Sequence, residues 1–339
     1  MESKKFLQKH PKLNYLQRCF RRRKDKNFVD EVMSIGYDPL RLKVVQMGEE
    51  NQGKLIYIAK TMGCDGFFAE LRHLLSEVYF ADKLGLIPVL TMSKNSSYAE
   101  KEPVNGTTNP FEYYFLQPTE VSLESAEKSY AVVEHNWIQR RFIKTDLDYK
   151  LGYIPTDEYF DAMSKIMKKY LRFNPDTEKK MTTAVKTLFN QGEKVLGVHV
   201  RGADFKRHYK NHPNIVTIEE YAQCVEQALV ANNFDKVFLA TDDSEAIDMF
   251  TKKFGGKLVY YNDVVRTDGD ETVMKSNVDR PLHHYQLGLE VIRDSYTLSL
   301  CDGLIAGLSN VSIFSRLMKQ SKDKKYEYLK ILDKGIKYN

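Results

Sequence analysis

One short segment, His199-Val-Arg201-Gly-Ala-Asp204, combines residue types that can do chemistry where a predicted strand ends. On an extended strand His199 and Arg201 point to the same side, because side chains alternate along it. The planar guanidinium of Arg201 suits a diphosphate, whose departure from a sugar leaves negative charge that a cation stabilises without a metal. The alternative is an ion pair between Arg201 and Asp204 that only fixes the loop. The spacing leaves both interpretations open.

A second polar cluster, Thr241-Asp242-Asp243, follows the next predicted strand. Carboxylates in that position accept hydrogen bonds from ribose hydroxyls or from a base. They also cap the following helix by accepting its unpaired backbone N–H groups. We expect Asp243 or Ser244 to cap the helix and Asp242 to be the ligand contact.

The third cluster, Ser309 and Asn310, stands where the last long predicted helix begins. Backbone N–H groups at a helix N-terminus bind anions. The alternative is an ordinary N-cap, which the residue types favour. Because ligands of open α/β sheets gather where the parallel strands end, the three clusters together predict a single pocket.

Two motifs that resemble metal sites are discounted. The triplet Asp268-Gly-Asp270 stands in a polar segment with no strand before it and is typical of a surface turn. The pair His283-His284 lacks a Cys or carboxylate at i+4 spacing on a clear helix. The sequence also contains no G-x-G-x-x-G after a strand and no P-loop. We therefore predict neither a metal ion nor a cofactor.

The hydrophobic pattern supplies the elements that must position these residues. Strands are predicted at 54–59, 87–90, 194–200, 236–240, 257–261 and 303–306. Amphipathic helices alternate with them, one opened by a capping box of Thr217 and Glu220, one capped by Ser244, and a helical stretch running from about 155 to 192. This alternation is typical of an α/β protein with doubly wound sheets.

The chain length of 339 residues exceeds what one hydrophobic core usually supports. We predict a basic N-terminal leader at 1–30, an α/β domain at 31–190 and a second α/β domain at 191–339 that carries the three clusters. Acceptor recognition falls to loops of the first domain, such as 92–118. Five aromatic residues there either stack on sugar faces or belong to the core: Tyr98, Phe111, Tyr113, Tyr114 and Phe115.

The net charge of +5 is concentrated in the leader, where residues 1–30 hold ten Lys or Arg and three Asp or Glu. The cluster at 18–26 is either a patch that docks on anionic lipid or a solvated leader. The rest of the chain has no basic stripe, which argues against nucleic acid as a partner. The leader has no apolar core of a secretory signal, no run is long enough to span a membrane, and Cys19, Cys64, Cys224 and Cys301 are widely spaced. These features favour a cytoplasmic protein.

Taken together, the three clusters resemble the motifs of the fucosyltransferase superfamily that includes the nodulation fucosyltransferase, the core α1,6-fucosyltransferase of N-glycans and the protein O-fucosyltransferases. The first motif is similar to 197–204 and the second to 237–243. The third is similar to the segment from Val291 to Asp302 with Leu308-Ser309-Asn310 and Arg316. The order and spacing match over roughly 120 residues. The stretch 61–66 also resembles the glycine-rich loop of that family, which assigns Gly63 and Gly66 to the donor site.

The resemblance implies a GT-B-like fold, in which two Rossmann-like domains face each other across a cleft. It implies metal-independent transfer from a GDP-sugar, usually GDP-fucose, to a saccharide or glycolipid acceptor, with inversion. Arg201 would contact the β-phosphate of GDP, and His199 would lie beside the nucleotide. The other donor-side residues implied are Asp242, Asp243, Asp294 as the guanine-contacting carboxylate, and Ser309 with Asn310 as the phosphate-side pair.

Two departures from the family pattern affect the mechanism. Gly202 stands where the α1,6 enzymes have a second arginine, and the acidic base candidate beyond the motif has no counterpart. Asp204 is the nearest carboxylate and our hypothesis for the base. Alternatively, stabilisation of the leaving group is enough and the acceptor proton leaves late. The leading interpretation is a cytoplasmic fucosyltransferase of surface polysaccharide synthesis. The alternatives are a transferase for another GDP-sugar, such as a GDP-heptose, and a non-catalytic glycan- or nucleotide-binding protein.

Overall fold

The computed structural model describes residues 10–26, 28–30, 42–63, 65–134, 155–202, 212–267, 273 and 278–337. The first half of the chain forms a four-stranded sheet and the second half a five-stranded sheet. Helices flank both sheets, so the predicted α/β class with two sheets is confirmed. Within the described residues, no helix is long and apolar enough to cross a membrane.

The first half contains four strands and five helices whose bounds lie within the described residues, besides helical residues at 26 and 28–30. They are α1 (Pro11–Arg21), β1 (Val44–Val45), β2 (Ile56–Lys60), α2 (Phe67–Lys83), β3 (Ile87–Thr91), α3 (Leu123–Ala126), β4 (Val132–Val133), α4 (Asp157–Tyr170) and α5 (Pro175–Lys186). The sheet order is β1-β4-β2-β3. β4, β2 and β3 are parallel, and β1 pairs antiparallel with β4 at the edge.

The second half forms the regular part of the fold. Its elements are β5 (Val195–His199), α6 (Ile218–Asn232), β6 (Lys236–Ala240), α7 (Ser244–Phe254), β7 (Leu258–Val259), α8 (His283–Leu300), β8 (Gly303–Gly307), α9 (Asn310–Gln320) and β9 (Tyr328–Leu332). The strand order is β7-β6-β5-β8-β9, and every pair is parallel. All five residues of β5 and of β8 are buried, as continuous apolar runs in a parallel sheet require.

The structure refines two predicted segments. The helical stretch predicted at 155–192 is two helices, because the chain is extended at Leu171 and Asn174 and restarts at Pro175. A residue before proline is driven out of the helical region, and Asn174 then caps α5 by accepting the Thr177 N–H at 2.9 Å. The strand predicted at 257–261 is reduced to Leu258–Val259.

One of the hydrophobic cores contains residues of both halves. The core of the first half includes Phe314 and Leu317 of α9 and Ile292 of α8, which belong to the second half. Phe68 of α2 stacks on Phe314 with ring centroids 4.7 Å apart. The helices that follow β7 and β8 therefore attach the second sheet to the first half of the chain.

Candidate donor site at the strand ends

The three polar clusters meet at the carboxyl edge of the second sheet. β5 is the central strand, and its last residue, His199, is in register with Ala240 of β6 and Ala306 of β8. The residues that follow these strands therefore begin at the same level of the sheet. This register brings Arg201, Asp242 and Ser309 to a common edge, as parallel strand ends do in open α/β sheets.

His199 is buried and uncharged. Its side chain is 8% exposed, and its Nδ1 lies 3.2 Å from the hydroxyl oxygen of Ser309. Burial, with a smaller contribution from the positive charge of Arg201, lowers the pKa of His199 to about 3. At neutral pH this imidazole is therefore a hydrogen-bonding group rather than a cation.

Arg201 follows the end of β5 and lines an opening at this edge of the sheet. Its Nη1 donates to the carbonyl oxygen of Leu308 at 3.3 Å, and its side chain is half-buried. A cavity of about 190 Å³ lies beside it, lined by Arg201, Gly202, Thr217, Asp243 and Gly307 among others. A cation held at a concave strand-end site is suited to a phosphate group.

The backbone at Gly202 lies directly against the carboxylate of Asp242. A Cβ at position 202 would lie 1.8 Å from Asp242 Oδ1. The second arginine of the α1,6 enzymes therefore has no space at this position unless Asp242 moves. The departure from the family pattern is thus coupled to the placement of a predicted donor contact.

Asp243 takes the capping role expected of it. The residue is buried, and its carboxylate accepts the N–H of Glu245 at 3.0 Å at the start of α7. Ser244, the other candidate, is the first helical residue instead. Asp243 also lines the cavity beside Arg201. The same residue therefore caps α7 and forms part of the cavity wall.

Asp294 lies on α8 among other charged groups and keeps part of its surface exposed. Burial raises the pKa of its carboxyl to about 7, Arg293 and Arg266 oppose this rise, and Glu290 and Asp242 add to it. Arg293 itself is held by Asp263, with nitrogen–oxygen distances of 2.9 and 2.6 Å. The influence of Asp242 connects Asp294 electrostatically to the strand-end cluster.

Ser309 and Asn310 form the start of α9 in different ways. Ser309 is buried, and its hydroxyl accepts the Ser312 N–H at 3.0 Å in a capping box. The Asn310 side-chain oxygen accepts from Arg72 Nη1 at 3.3 Å. Arg72 belongs to α2 of the first half, so this contact brings a second arginine to the turn that Arg201 touches at Leu308. Ser309 thus serves as an N-cap, the alternative that the residue types favoured.

Gly63 and Gly66 belong to the loop between β2 and α2. Gly63 has a φ of +81°, and a Cβ there would lie 2.7 Å from the Cβ of Ser93. Gly66 is the N-cap residue of α2 and is extended. Gly63 therefore serves the packing and the shape of this loop, and Gly66 connects the loop to α2.

Several predicted residues lie outside the described part of the chain or away from the site. Asp204, Cys64 and the Asp268–Asp270 triplet lie outside it. His283 accepts from Arg280 Nε at 3.1 Å, and His284 Nδ1 lies 2.9 Å from the carbonyl oxygen of Ser97. Among the described residues, no group of three or more His, Cys, Asp or Glu is arranged to hold a metal ion.

The aromatic residues of 92–118 are core residues. All five are at most 5% exposed: Tyr98, Phe111, Tyr113, Tyr114 and Phe115. Tyr114 stacks on Tyr285 of α8 at 5.4 Å and donates its hydroxyl to the Tyr285 carbonyl at 2.9 Å. They join the two halves, and the possibility that they stack on acceptor sugars is excluded by their burial.

Sequence reasoning missed two residues at this site, Arg72 and Tyr221. Arg72 appears in the sequence as an ordinary polar position of an amphipathic helix. Tyr221 appears as a core position, but its hydroxyl lies against the backbone of Gly307 and its ring lines the cavity beside Arg201. A Cβ at Gly307 would lie 2.3 Å from that hydroxyl. The glycine at the end of β8 was therefore the only sign in the sequence that another group packs closely against this position.

No protein-family model matches the chain, and no curated protein matches its sequence. Among solved structures, the NodZ alpha-1,6-fucosyltransferase soaked with GDP-fucose is similar, with 16% identity, a TM-score of 0.49, and coverage of 78% of this chain and 92% of that one. Fucosyltransferase NodZ from Bradyrhizobium has 16% identity, a TM-score of 0.46, and coverage of 79% and 92%. POFUT1 in complex with GDP-fucose has 12% identity, a TM-score of 0.46, and coverage of 85% and 99%.

Proposed function

We propose that this protein is an inverting, metal-independent glycosyltransferase that moves fucose from GDP-fucose to a hydroxyl of a saccharide or glycolipid acceptor. One observation carries the proposal: Arg201 stands in a cavity at the end of the central parallel strand, in the first of three motifs that resemble those of fucosyltransferases. Strand ends of open parallel sheets are where such folds bind nucleotides. The NodZ and POFUT1 structures to which the fold is similar include ones with GDP-fucose or GDP.

The transfer reaction requires above all that the leaving group, GDP, is stabilised. The acceptor oxygen forms a bond to the anomeric carbon while the bond from that carbon to the β-phosphate oxygen breaks, which inverts the configuration. GDP leaves with the bonding electrons, and the guanidinium of Arg201 balances the charge that develops on its β-phosphate. Because His199 is neutral, it contributes no positive charge at this strand end. The phosphate therefore interacts there with the charge of Arg201.

The acceptor proton needs a destination. In our proposal Asp204 accepts it, three residues beyond Arg201, and the alternative is late loss of the proton without a strong base. The two differ in the Asp204→Asn variant. A base predicts a loss of roughly 10²- to 10⁴-fold in kcat with little change in KM, whereas late proton loss predicts a small effect.

The other polar residues are assigned to the nucleotide. Asp294 accepts hydrogen bonds from guanine N–H groups, and Asp242 accepts from a ribose hydroxyl. Asn310 lies on the phosphate side, where Arg72 orients it. Gly63 and Gly66 allow the loop before α2 to approach the donor closely. The setting we propose is cytoplasmic synthesis of a surface polysaccharide.

The Arg201→Ala variant tests the central claim. We expect transfer to fall by about 10³-fold, or about 4 kcal/mol of transition-state stabilisation. Arg201→Lys keeps the charge but loses the planar fork, so its rate should be intermediate. Arg172→Ala removes an exposed arginine outside the three motifs and serves as the control. A rate unchanged in Arg201→Ala would remove this residue from the mechanism.

Nucleotide and sugar panels test the donor. GDP should raise the melting temperature, because a ligand that binds only the folded state stabilises it. Stabilisation by UDP or CMP without any by GDP would contradict the assignment. Release of GDP from GDP-fucose but not from a GDP-heptose would support fucose, and the reverse would indicate the heptose donor. Transfer that persists in a chelator supports the metal-independent mechanism. Binding of GDP without any transfer would indicate a non-catalytic protein.

A further inference from the structure

Helix α1 has an exposed apolar stripe. Leu13, Leu16 and Phe20 follow one another at i, i+3 and i+7, which places them on one face of the helix. Their exposed fractions are 45%, 61% and 69%. A contiguous stripe of large apolar side chains in water is typical of a surface that binds a partner.

A group of cations continues from the end of this helix. Arg21, Arg22, Arg23, Lys24 and Lys26 are all exposed, and α1 itself contains no acidic residue. Asp25 is paired with Arg22. Excess positive charge beside an apolar stripe distinguishes an interfacial helix from one that packs on an ordinary protein surface.

The contact between Arg23 and Phe20 joins the two features. The Arg23 guanidinium lies 4.6 Å from the centroid of the Phe20 ring and donates to the Phe20 carbonyl at 2.8 Å. An aromatic ring with a cation on it buries its body among acyl chains while the charge stays at the level of the headgroups. An 11-residue helix is about 16 Å long, too short for a hydrocarbon core of about 30 Å. The helix therefore suits the plane of an interface.

We propose that α1 binds the surface of a bilayer containing anionic lipid. Leu13, Leu16 and Phe20 enter the boundary of the acyl chains, and the cations of 21–26 contact the phosphates of the headgroups. This deepens the expectation of a basic docking patch by adding an exposed apolar face. It does not depend on the proposed transferase activity.

Charge argues against the two other occupants of this face. A second copy of the chain would bring a second cluster with five cations within 21–26 against the first, which repels. Nucleic acid would neutralise the cations but would not bury Leu13 and Leu16, because proteins contact nucleic acids mainly through the phosphates. An anionic bilayer satisfies both the stripe and the charge.

The first test is sedimentation of the full chain with vesicles. We expect strong binding to phosphatidylcholine vesicles that contain phosphatidylglycerol and weak binding to pure phosphatidylcholine. High salt should weaken the first but leave a remainder that comes from the apolar stripe. Equal binding to both vesicle types, or none to either, would overturn the proposal.

Paired variants separate the two contributions. Leu16→Asn with Phe20→Asn should abolish the binding that remains at high salt, while Val230→Asn, at an 87% exposed position of α6, should not change it. Arg21→Gln, Lys24→Gln and Lys26→Gln together should reduce binding at low salt about a hundredfold. The control is Lys179→Gln, Lys186→Gln and Lys252→Gln, three exposed lysines of the body.

Two further measurements identify a different occupant. Apolar variants that leave vesicle binding unchanged, together with tight binding of single-stranded DNA, would overturn the proposal in favour of nucleic acid. Dimers that form without vesicles and disappear with Leu16→Asn and Phe20→Asn would overturn it in favour of a second copy. Far-ultraviolet circular dichroism and the melting temperature of each variant verify that the body is folded.

Discussion

The Cα of Gly202 faces the carboxylate of Asp242 so closely that a Cβ would lie 1.8 Å from Oδ1. The contacted atom ends a short side chain, so Gly202→Ala should turn Asp242 away rather than unfold the protein. We expect a stability loss of about 1 kcal/mol and a GDP affinity at least about tenfold weaker, because the ribose contact is lost. Calorimetric titration with GDP and thermal melting measure the two effects.

The matched control for this variant is Gly256→Ala, where a Cβ meets nothing within 4 Å. The effects of Gly202→Ala and Asp242→Ala on GDP affinity should be non-additive, because both remove the same carboxylate from its place. Full additivity would mean that Gly202 acts through something other than Asp242.

The neutral state of His199 predicts an acid sensitivity of the fold. Its pKa is lowered from 6.5 to about 3 in the folded protein, so between these values the unfolded chain binds a proton that the folded chain does not. Stability is therefore complete above about pH 6.5 and falls as the pH drops, by up to about 1.4 kcal/mol per pH unit. Urea unfolding of His199→Gln between about pH 7 and pH 4 should show a slope smaller by this amount.

For the histidine experiment, His10→Gln changes an exposed histidine outside both cores and should keep the wild-type slope. A slope equally steep in His199→Gln would show that other groups cause the acid sensitivity.

Asp294 predicts a pH dependence of nucleotide binding. Only its ionised carboxylate can accept from two guanine N–H groups, and its pKa is about 7 in the unbound protein. GDP affinity should thus rise with pH through about 7, with proton uptake by the buffer when GDP binds below this value. Asp294→Asn should flatten the profile. Calorimetry in buffers of different ionisation enthalpy measures the released proton.

Inosine diphosphate, which lacks the guanine amino group, tests the same contact. It should bind wild type about tenfold more weakly than GDP does, and Asn at position 294 should reduce that preference. Asp248→Asn, at an exposed position of α7, is the control. An unchanged preference in Asp294→Asn would separate this carboxylate from the base.

The stack of Phe68 on Phe314 predicts that the halves unfold together. Each Phe→Ala change should cost about 3–5 kcal/mol, because both rings are buried. A double-mutant cycle should give a coupling of about 0.5–1.5 kcal/mol, since the ring centroids are 4.7 Å apart. Phe68 and Phe250 lie in different cores and should be additive. Two separate unfolding transitions would contradict a shared core.

Much of the fold was predictable from local patterns. β6 occupies the predicted residues 236–240, and both hydrogen bonds of the Thr217–Glu220 capping box are present. These features depend on neighbours within four residues, so the sequence contains all of their causes. The break before Pro175 within the predicted helical stretch is equally local, because a residue before proline is driven out of the helical region.

The strand-end clusters were also predictable, because the parallel topology that alternation implies puts successive strand ends on one edge. Which residue does what at that edge was not. Asp243 and Ser309 are occupied by capping, and Asp242 is placed by a glycine forty positions earlier. Such assignments depend on distances between strands that no spacing along the chain encodes.

The sequence by itself determined the alternation of strands and helices, the caps, and the order of the three polar motifs, since each follows from residues close together in the chain. Only the tertiary structure decided that Tyr114 belongs to the core and that Arg72 reaches Asn310, 238 positions away. It also decided that His199 is neutral, because burial, with a smaller contribution from the charge of Arg201, lowers its pKa. Burial and contacts between distant residues arise when the elements pack, and packing is a property of the whole chain.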